Sequence, residues 1–239
     1  MSPRSRNGIW LGSNVHDREI RVLSAVETSR NQPTQMKDKY FTILRDSFPK
    51  PPTQTAVGRV PVEYLKAVNG GDHSTRLLSL LDGQFRRLRR SRVHEICRDE
   101  NIPVLEAYAV AMAWGGQHPV HFSSSIEEPS RSRLERMLHE LRNSRNHREK
   151  DFEVVQSACT RIRGLGISFF SKLLFFFRPD PDPFILDQWT AKSMDLLFED
   201  PPVSVSRFGF PAPDTSPIQY DLFEVLSEVV DGRAAKSAS

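Results

Sequence analysis

Cysteine is scarce in this chain of 239 residues: Cys97 and Cys159 are the only two, and neither stands in a Cys-x-x-Cys pair. A disulfide framework and a four-thiolate iron–sulfur cluster are thereby excluded. The histidines, at 16, 73, 94, 118, 121, 139 and 147, form no His-Glu-x-x-His array. No Gly-x-Ser-x-Gly nucleophile elbow and no Gly-Lys-Ser/Thr phosphate loop occurs. Asp180 and Asp182 alternate with prolines and read as a rigid loop, so neither metal nor cofactor is expected. Long apolar runs are missing too. The stretch Ile167 to Phe177 is too short for a bilayer and is interrupted by Lys172, and Met1 to Gly8 lacks the apolar stretch of a secretory signal. A soluble, cytoplasmic protein is expected, and the scarcity of strand-like alternation points to an all-α fold.

With 38% apolar residues the chain has enough material for a sizeable core. Its net charge is only +3, yet arginines at 86, 87, 89, 90 and 92 concentrate positive charge in one place. That cluster reads either as the solvated face of a helix whose apolar side is Leu77, Leu78, Leu81, Phe85 and Leu88, or as a patch for a phosphate backbone.

Helical patterns fall at about 15 to 27, 35 to 47 and 60 to 68, separated by prolines. A long helix is expected from Ser74 to about Asp99, with a bend at Gly83. Ile102 to Trp114 is apolar on nearly every side, which suits a central buried helix that Gly115-Gly116 stops. A loop rich in Ser and Pro should follow to Pro129, then helices over Arg131 to Arg145 and Glu149 to Arg161. After a tight turn, another helix is expected over Ser168 to Phe177, with its phenylalanines in the core. Helices over 188 to 198 and Ile218 to Val230 close the chain. The expected division is a variable helical region over 1–100, a core over 101–231 and a flexible tail over 232–239.

The turn is the informative part. Ile162-Arg163-Gly164-Leu165-Gly166-Ile167-Ser168 sets two glycines around one apolar residue, between two helices. Such a turn aims backbone amides outward at a helix N-terminus, a ready phosphate site. Nineteen positions after Ser168, at the end of Phe184-Ile185-Leu186-Asp187, a carboxylate opens the next helix. An aspartate there serves as an ordinary N-cap or as a fixed anion for chemistry.

The turn and the downstream aspartate together resemble the helix-hairpin-helix DNA glycosylase superfamily, whose hairpin usually reads Leu-Pro-Gly-Val-Gly. Phe169 to Leu174 and Ala113-Trp114-Gly115-Gly116 are most similar to bacterial proteins of the 8-oxoguanine glycosylase fold, phage-defence proteins among them. The resemblance is best over residues 102 to 198. It implies a monomeric enzyme that binds double-stranded DNA through Arg163, Gly164, Leu165, Gly166 and Ser168, and hydrolyses the N-glycosidic bond of a flipped-out base. Asp187 would steady the oxocarbenium-like sugar or help deprotonate water. A pocket for the base would be drawn from Trp114, Gln117, His118, Gln188 and Trp189.

Family members that also cut the backbone place a lysine where this chain has Ser168, which points to a monofunctional enzyme. Lys172, one helical turn further along the same face, is the alternative: a displaced nucleophile, a phosphate ligand, or a partner of Asp187. A damaged base or a modified pyrimidine of phage DNA is the expected substrate class. A non-catalytic DNA-binding module that keeps only the hairpin is the competing reading.

Overall fold

A computed structural model describes residue 37 and residues 58–81, 87–180 and 184–238, without the side chains of 229 and 231–238. The patterns read at 15 to 27 and 35 to 47 lie outside these residues, apart from Lys37, and Gly83 does too. Ten helices run along the described chain: α1 Val62–Asn69, α2 Thr75–Leu80, α3 Arg90–Arg98, α4 Val104–Trp114, α5 Pro119–Ser125, α6 Ser130–Arg142, α7 Arg148–Cys159, α8 Ile167–Phe177, α9 Gln188–Leu197 and α10 Pro217–Ala238. β pairing is confined to isolated bridge positions, among them an antiparallel bridge from Val205 to Pro211, and no strand is formed among the described residues. The fold is all-α, and none of the described helices is long and apolar enough to cross a membrane.

The central helix is α4, buried from Val104 to Ala113, with α1, α3, α6 and α8 packed around it. Its single charge, Glu106, is satisfied inside: it accepts hydrogen bonds from Asn69 Nδ2 (2.8 Å), Ser74 N (3.0 Å) and Ser74 Oγ (2.7 Å), tying the start of α2 to the core. Buried charge is tolerated when its acceptor sites are filled in this way. One continuous apolar cluster runs from Tyr64 to Leu226, so described residues on both sides of position 100 share it. Phe170, Phe175, Phe176 and Phe177 of α8 are buried in it, and Phe169 packs partly against it.

Three expectations are corrected. The single helix from Ser74 to Asp99 is two helices: α2 stops at the C-cap Leu81, and α3 begins only after the extended Arg89. Leu77, Leu80 and Leu81 are buried while Leu78 is exposed; Phe85 and Arg86 lie outside the described residues, and Arg87, Arg89, Arg90 and Arg92 do not share one helical face with these leucines. Arg90 instead lies over the rings of Phe175 (5.3 Å) and Trp114 (5.9 Å), spending part of the cluster on packing. The loop expected before Pro129 contains α5, opened by Pro119 at its first turn with the His118 side chain accepting from Val120 N. The last helix continues to Ala238 rather than ending near Val230; past Gly232 the residues Arg-Ala-Ala-Lys are strong helix formers.

Helices α7 and α8, joined by the glycine turn, form the helix-hairpin-helix unit. Their far ends are clasped by a buried ion pair, Arg178 Nε to Asp151 Oδ2 at 2.8 Å. Asp151 also accepts from Ser144 Oγ (2.7 Å) and Asn146 Nδ2 (3.1 Å), so the carboxylate is fully engaged. The pair fixes the ends opposite the turn and thereby the angle at which the turn is presented.

Candidate active site

The turn is built around Gly164, whose φ of 78° lies in the left-handed region. A β-carbon there would also run into the His121 carbonyl, so the turn packs directly on the backbone of α5. Gln117, fully buried, donates from Nε2 to the Gly164 carbonyl at 2.9 Å, and its main-chain carbonyl accepts from the Tyr64 hydroxyl. The turn is therefore held from behind by α1, α5 and the segment after α4. Gly166 is the N-cap of α8 and makes no side-chain capping bond; Phe169 N already donates to the Gly166 carbonyl at 2.9 Å, which leaves the Ile167 and Ser168 amides for an outside acceptor.

Asp187 reaches the same region from the other side. Its segment crosses α8 extended, with Ile185 and Leu186 buried and the Leu186 carbonyl accepting from Ser171 Oγ at 3.0 Å. Asp187 then caps α9 through a reciprocal box: Oδ1 accepts from Trp189 N (2.9 Å) and Thr190 N (3.2 Å), while its own N–H donates to Thr190 Oγ1 (2.9 Å). Capping occupies Oδ1. The other oxygen, Oδ2, lies 4.0 Å from Lys172 Nζ.

Lys172 is nearly buried, its side chain 7% exposed against 29% for Asp187. Nζ leans back one turn and donates to the Ser168 carbonyl at 2.7 Å, and lies 5.2 Å from the Phe169 ring. Burial lowers the ammonium pKa to about 8, and the Asp187 carboxylate opposes that fall. At pH 7 about one amine in ten is then unprotonated, 4.0 Å from a carboxylate oxygen.

Both groups face a broad, open cleft of about 680 Å³. The turn from Ile162 to Ser168, except Arg163, lines it together with Phe169, Lys172, Asp187, Gln188 and Trp189. Of the residues singled out in the sequence, Lys172, Gly164, Leu165, Gly166, Ser168, Asp187, Gln188 and Trp189 meet here. Arg163 is exposed on the turn but is not in the wall.

Trp114, Gln117 and His118 do not line the cleft. Trp114 meets Phe176 edge-on at 5.0 Å, Gln117 braces the turn, and His118 caps α5. Sequence reasoning missed Gly115, His121, Phe210 and Pro213, which complete the wall. Gly115 had a visible but different reading, as a helix stop; the others sit in segments whose path past the cleft only the packing fixes. Among the described residues no three His, Cys, Asp or Glu side chains converge as a metal site.

Residues 51–215 match the model of the OGG family, described as "Putative 8-oxoguanine DNA glycosylase OGG-like protein". The match spans more than half of the chain and starts well before residue 102, so the family extends into the region where the sequence resemblance is poor. No curated protein and no solved structure matches the chain.

Proposed function

The chain belongs to this OGG-like glycosylase family, and from that premise we propose that it releases a damaged or modified base from DNA at the cleft between the glycine turn and α9. The observation that carries the reading is the placement of Lys172 Nζ and Asp187 Oδ2, 4.0 Å apart in a cleft whose rim is an uncapped helix N-terminus.

The uncapped amides of α8 would take a DNA phosphate, fixing the strand so that one extruded nucleotide enters the cleft. Breaking its N-glycosidic bond develops positive charge on the sugar, and Asp187 Oδ2 is the anion available to stabilise it. Capping by Trp189 and Thr190 amides holds that carboxylate still, so no reorganisation is needed as charge appears.

With serine at 168, the simplest nucleophile is water, which would leave an abasic site. A second reading is supported by the Lys172 amine, which reaches back over the Ser168 carbonyl and has a lowered pKa. On that route the Nζ lone pair bonds to C1′ as the base departs with the glycosidic electron pair and is protonated. The amine gives up a proton to Asp187 or solvent, and opening of the sugar ring yields an iminium that permits loss of the 3′ phosphate. The lysine placement favours this second route.

Incubation with DNAs carrying 8-oxoguanine, the base in the family's description, and with phage DNAs carrying modified pyrimidines tests the reaction and substrate together, by mass spectrometry of the freed bases. Borohydride trapping of an enzyme–DNA adduct, lost in Lys172→Ala, is expected on the amine route; base release without any adduct means water. DNA binding with no base released from any of these DNAs leaves only a hairpin binding module.

A further inference from the structure

Between α9 and α10 the chain forms a small arm whose chemistry the base-releasing site does not use. Its two sides are joined by the Val205–Pro211 bridge and by hydrogen bonds from Ser206 N to the Phe210 carbonyl (2.8 Å) and from Ala212 N to the Ser204 carbonyl (2.9 Å). Gly209 N donates to the Ser206 carbonyl at 2.7 Å, closing the tip. Gly209 has a φ of 77°, and a β-carbon on it would run into the Lys192 side chain, so the tip is both tightly turned and seated on α9. Val203 and Pro211 are buried and anchor the base of the arm.

What the arm presents is aromatic. Phe208 at the tip is 67% exposed and Phe210 is 50% exposed, beside Trp189 on α9 at 68%. None of this area serves the core, and large aromatics gathered in the open mark a binding surface rather than a folding requirement. Cations are interleaved with them: Arg207 Cζ lies 4.6 Å from the Phe208 ring centre and Lys192 Nζ 5.3 Å from that of Trp189. Arg207 is the only charged residue from Val203 to Pro213. Phe210, Pro213 and Trp189 are continuous with the cleft wall, whereas Phe208 stands beyond it.

Aromatic faces alternating with cations fit nucleobases flanked by phosphates. We propose that the Ser204–Ala212 arm is a DNA wedge: Phe208 enters the base stack at the position left by the extruded nucleotide, and Phe210 with Trp189 forms a stacking wall at the mouth of the cleft. This inference rests on the reading of the cleft as a site for an extruded nucleotide. The arm's rigidity is the physical requirement, because a wedge that folded back would regain nothing for the unstacking it imposes.

The test uses a duplex oligonucleotide with a tetrahydrofuran abasic-site analogue and 2-aminopurine as its neighbour, the intact duplex, and the matching single strand. No base release is involved, so an enzyme that frees no base would sink the glycosylase reading without deciding this one. The native chain should prefer the abasic duplex to the intact one and change the 2-aminopurine fluorescence. Phe208→Ala should lose that preference by roughly tenfold, the effect of removing one base–aromatic stack, and lose the fluorescence response, while single-strand affinity stays. Phe208→Tyr should restore both. Unchanged abasic-duplex binding in Phe208→Ala, an equal loss on all three DNAs, or self-association that Phe208→Ala abolishes with DNA binding intact would each overturn the wedge.

Discussion

A β-carbon on Gly115 would lie 2.8 Å from Cδ and 3.1 Å from Cε of Lys172, so the aliphatic stem of the cleft lysine occupies space that only a glycine leaves free. Gly115 ends the central helix, and its conformation is ordinary, with φ −70°. The position therefore needs glycine for the neighbour's sake rather than for its own backbone. Gly115→Ala is expected to push the Lys172 stem aside and lower single-turnover base release by about ten- to a hundredfold, since small displacements of reacting groups are costly. The melting temperature should change little, because a flexible side chain yields. Native rates in this variant would sever the link between Gly115 and the amine.

The lysine also sets a pH dependence with a definite sign. Its folded pKa, about 8, lies below the unfolded value near 10.5, so between these values the unfolded chain binds more protons. Stability from this group must then rise as pH climbs from about 8 to about 10.5. Lys172→Met should abolish that rise in urea midpoints and leave stability at pH 7 unchanged or higher, because a desolvated charge is gone. On the amine route, base release by the native chain should increase with pH and level off above about 8. A rate that falls over this range would argue for the ammonium as the working form.

Asp187 does two jobs that two substitutions separate. Asparagine keeps an oxygen for the Trp189 and Thr190 amides, so Asp187→Asn should melt close to the native chain. Its base release should nevertheless fall roughly a hundredfold or more, the loss expected when a transition-state charge partner is removed. Asp187→Ala should lose activity equally and, in addition, about 1 kcal/mol of stability with the cap. Equal activity in Asn and native forms would reduce Asp187 to a helix cap.

Far from the cleft, Asp151→Ala would leave the guanidinium of Arg178 buried without its carboxylate. A destabilisation of about 3–5 kcal/mol is expected, measured by urea unfolding. Replacing both, as Asp151→Leu with Arg178→Met, should recover much of it. Failure of the double variant to recover would mean that the Ser144 and Asn146 contacts, more than charge, hold the two helices together.

The local elements were readable where one residue's own physics dictates them. Gly164 had to be a turn, Asp187 had to open a helix, and the all-apolar stretch before Trp114 had to be buried. Errors fell where a neighbour decides. Trp114, Gln117 and His118 are polar or aromatic residues near a helix end, which suits a pocket by type, but Gln117 turns inward to brace Gly164 and Trp114 packs on Phe176. The apparent long helix after Ser74 failed because leucines and arginines at helical spacing do not reveal where the chain leaves the helix. The arm carrying Phe208 lies between the helices expected over 188 to 198 and Ile218 to Val230, where no local signal marks it, since exposed aromatics look like core residues in a sequence.

From residue order alone came the helical class, the glycine turn and the carboxylate nineteen positions beyond it, all set by backbone sterics and short-range capping. Only tertiary packing decided that Lys172 would fold back over Ser168 toward Asp187, that Gly115 would make room for it, and that Phe210 would line the cleft. Those contacts join segments far apart in the chain, and their distances depend on how helices settle against one another, which no local rule contains.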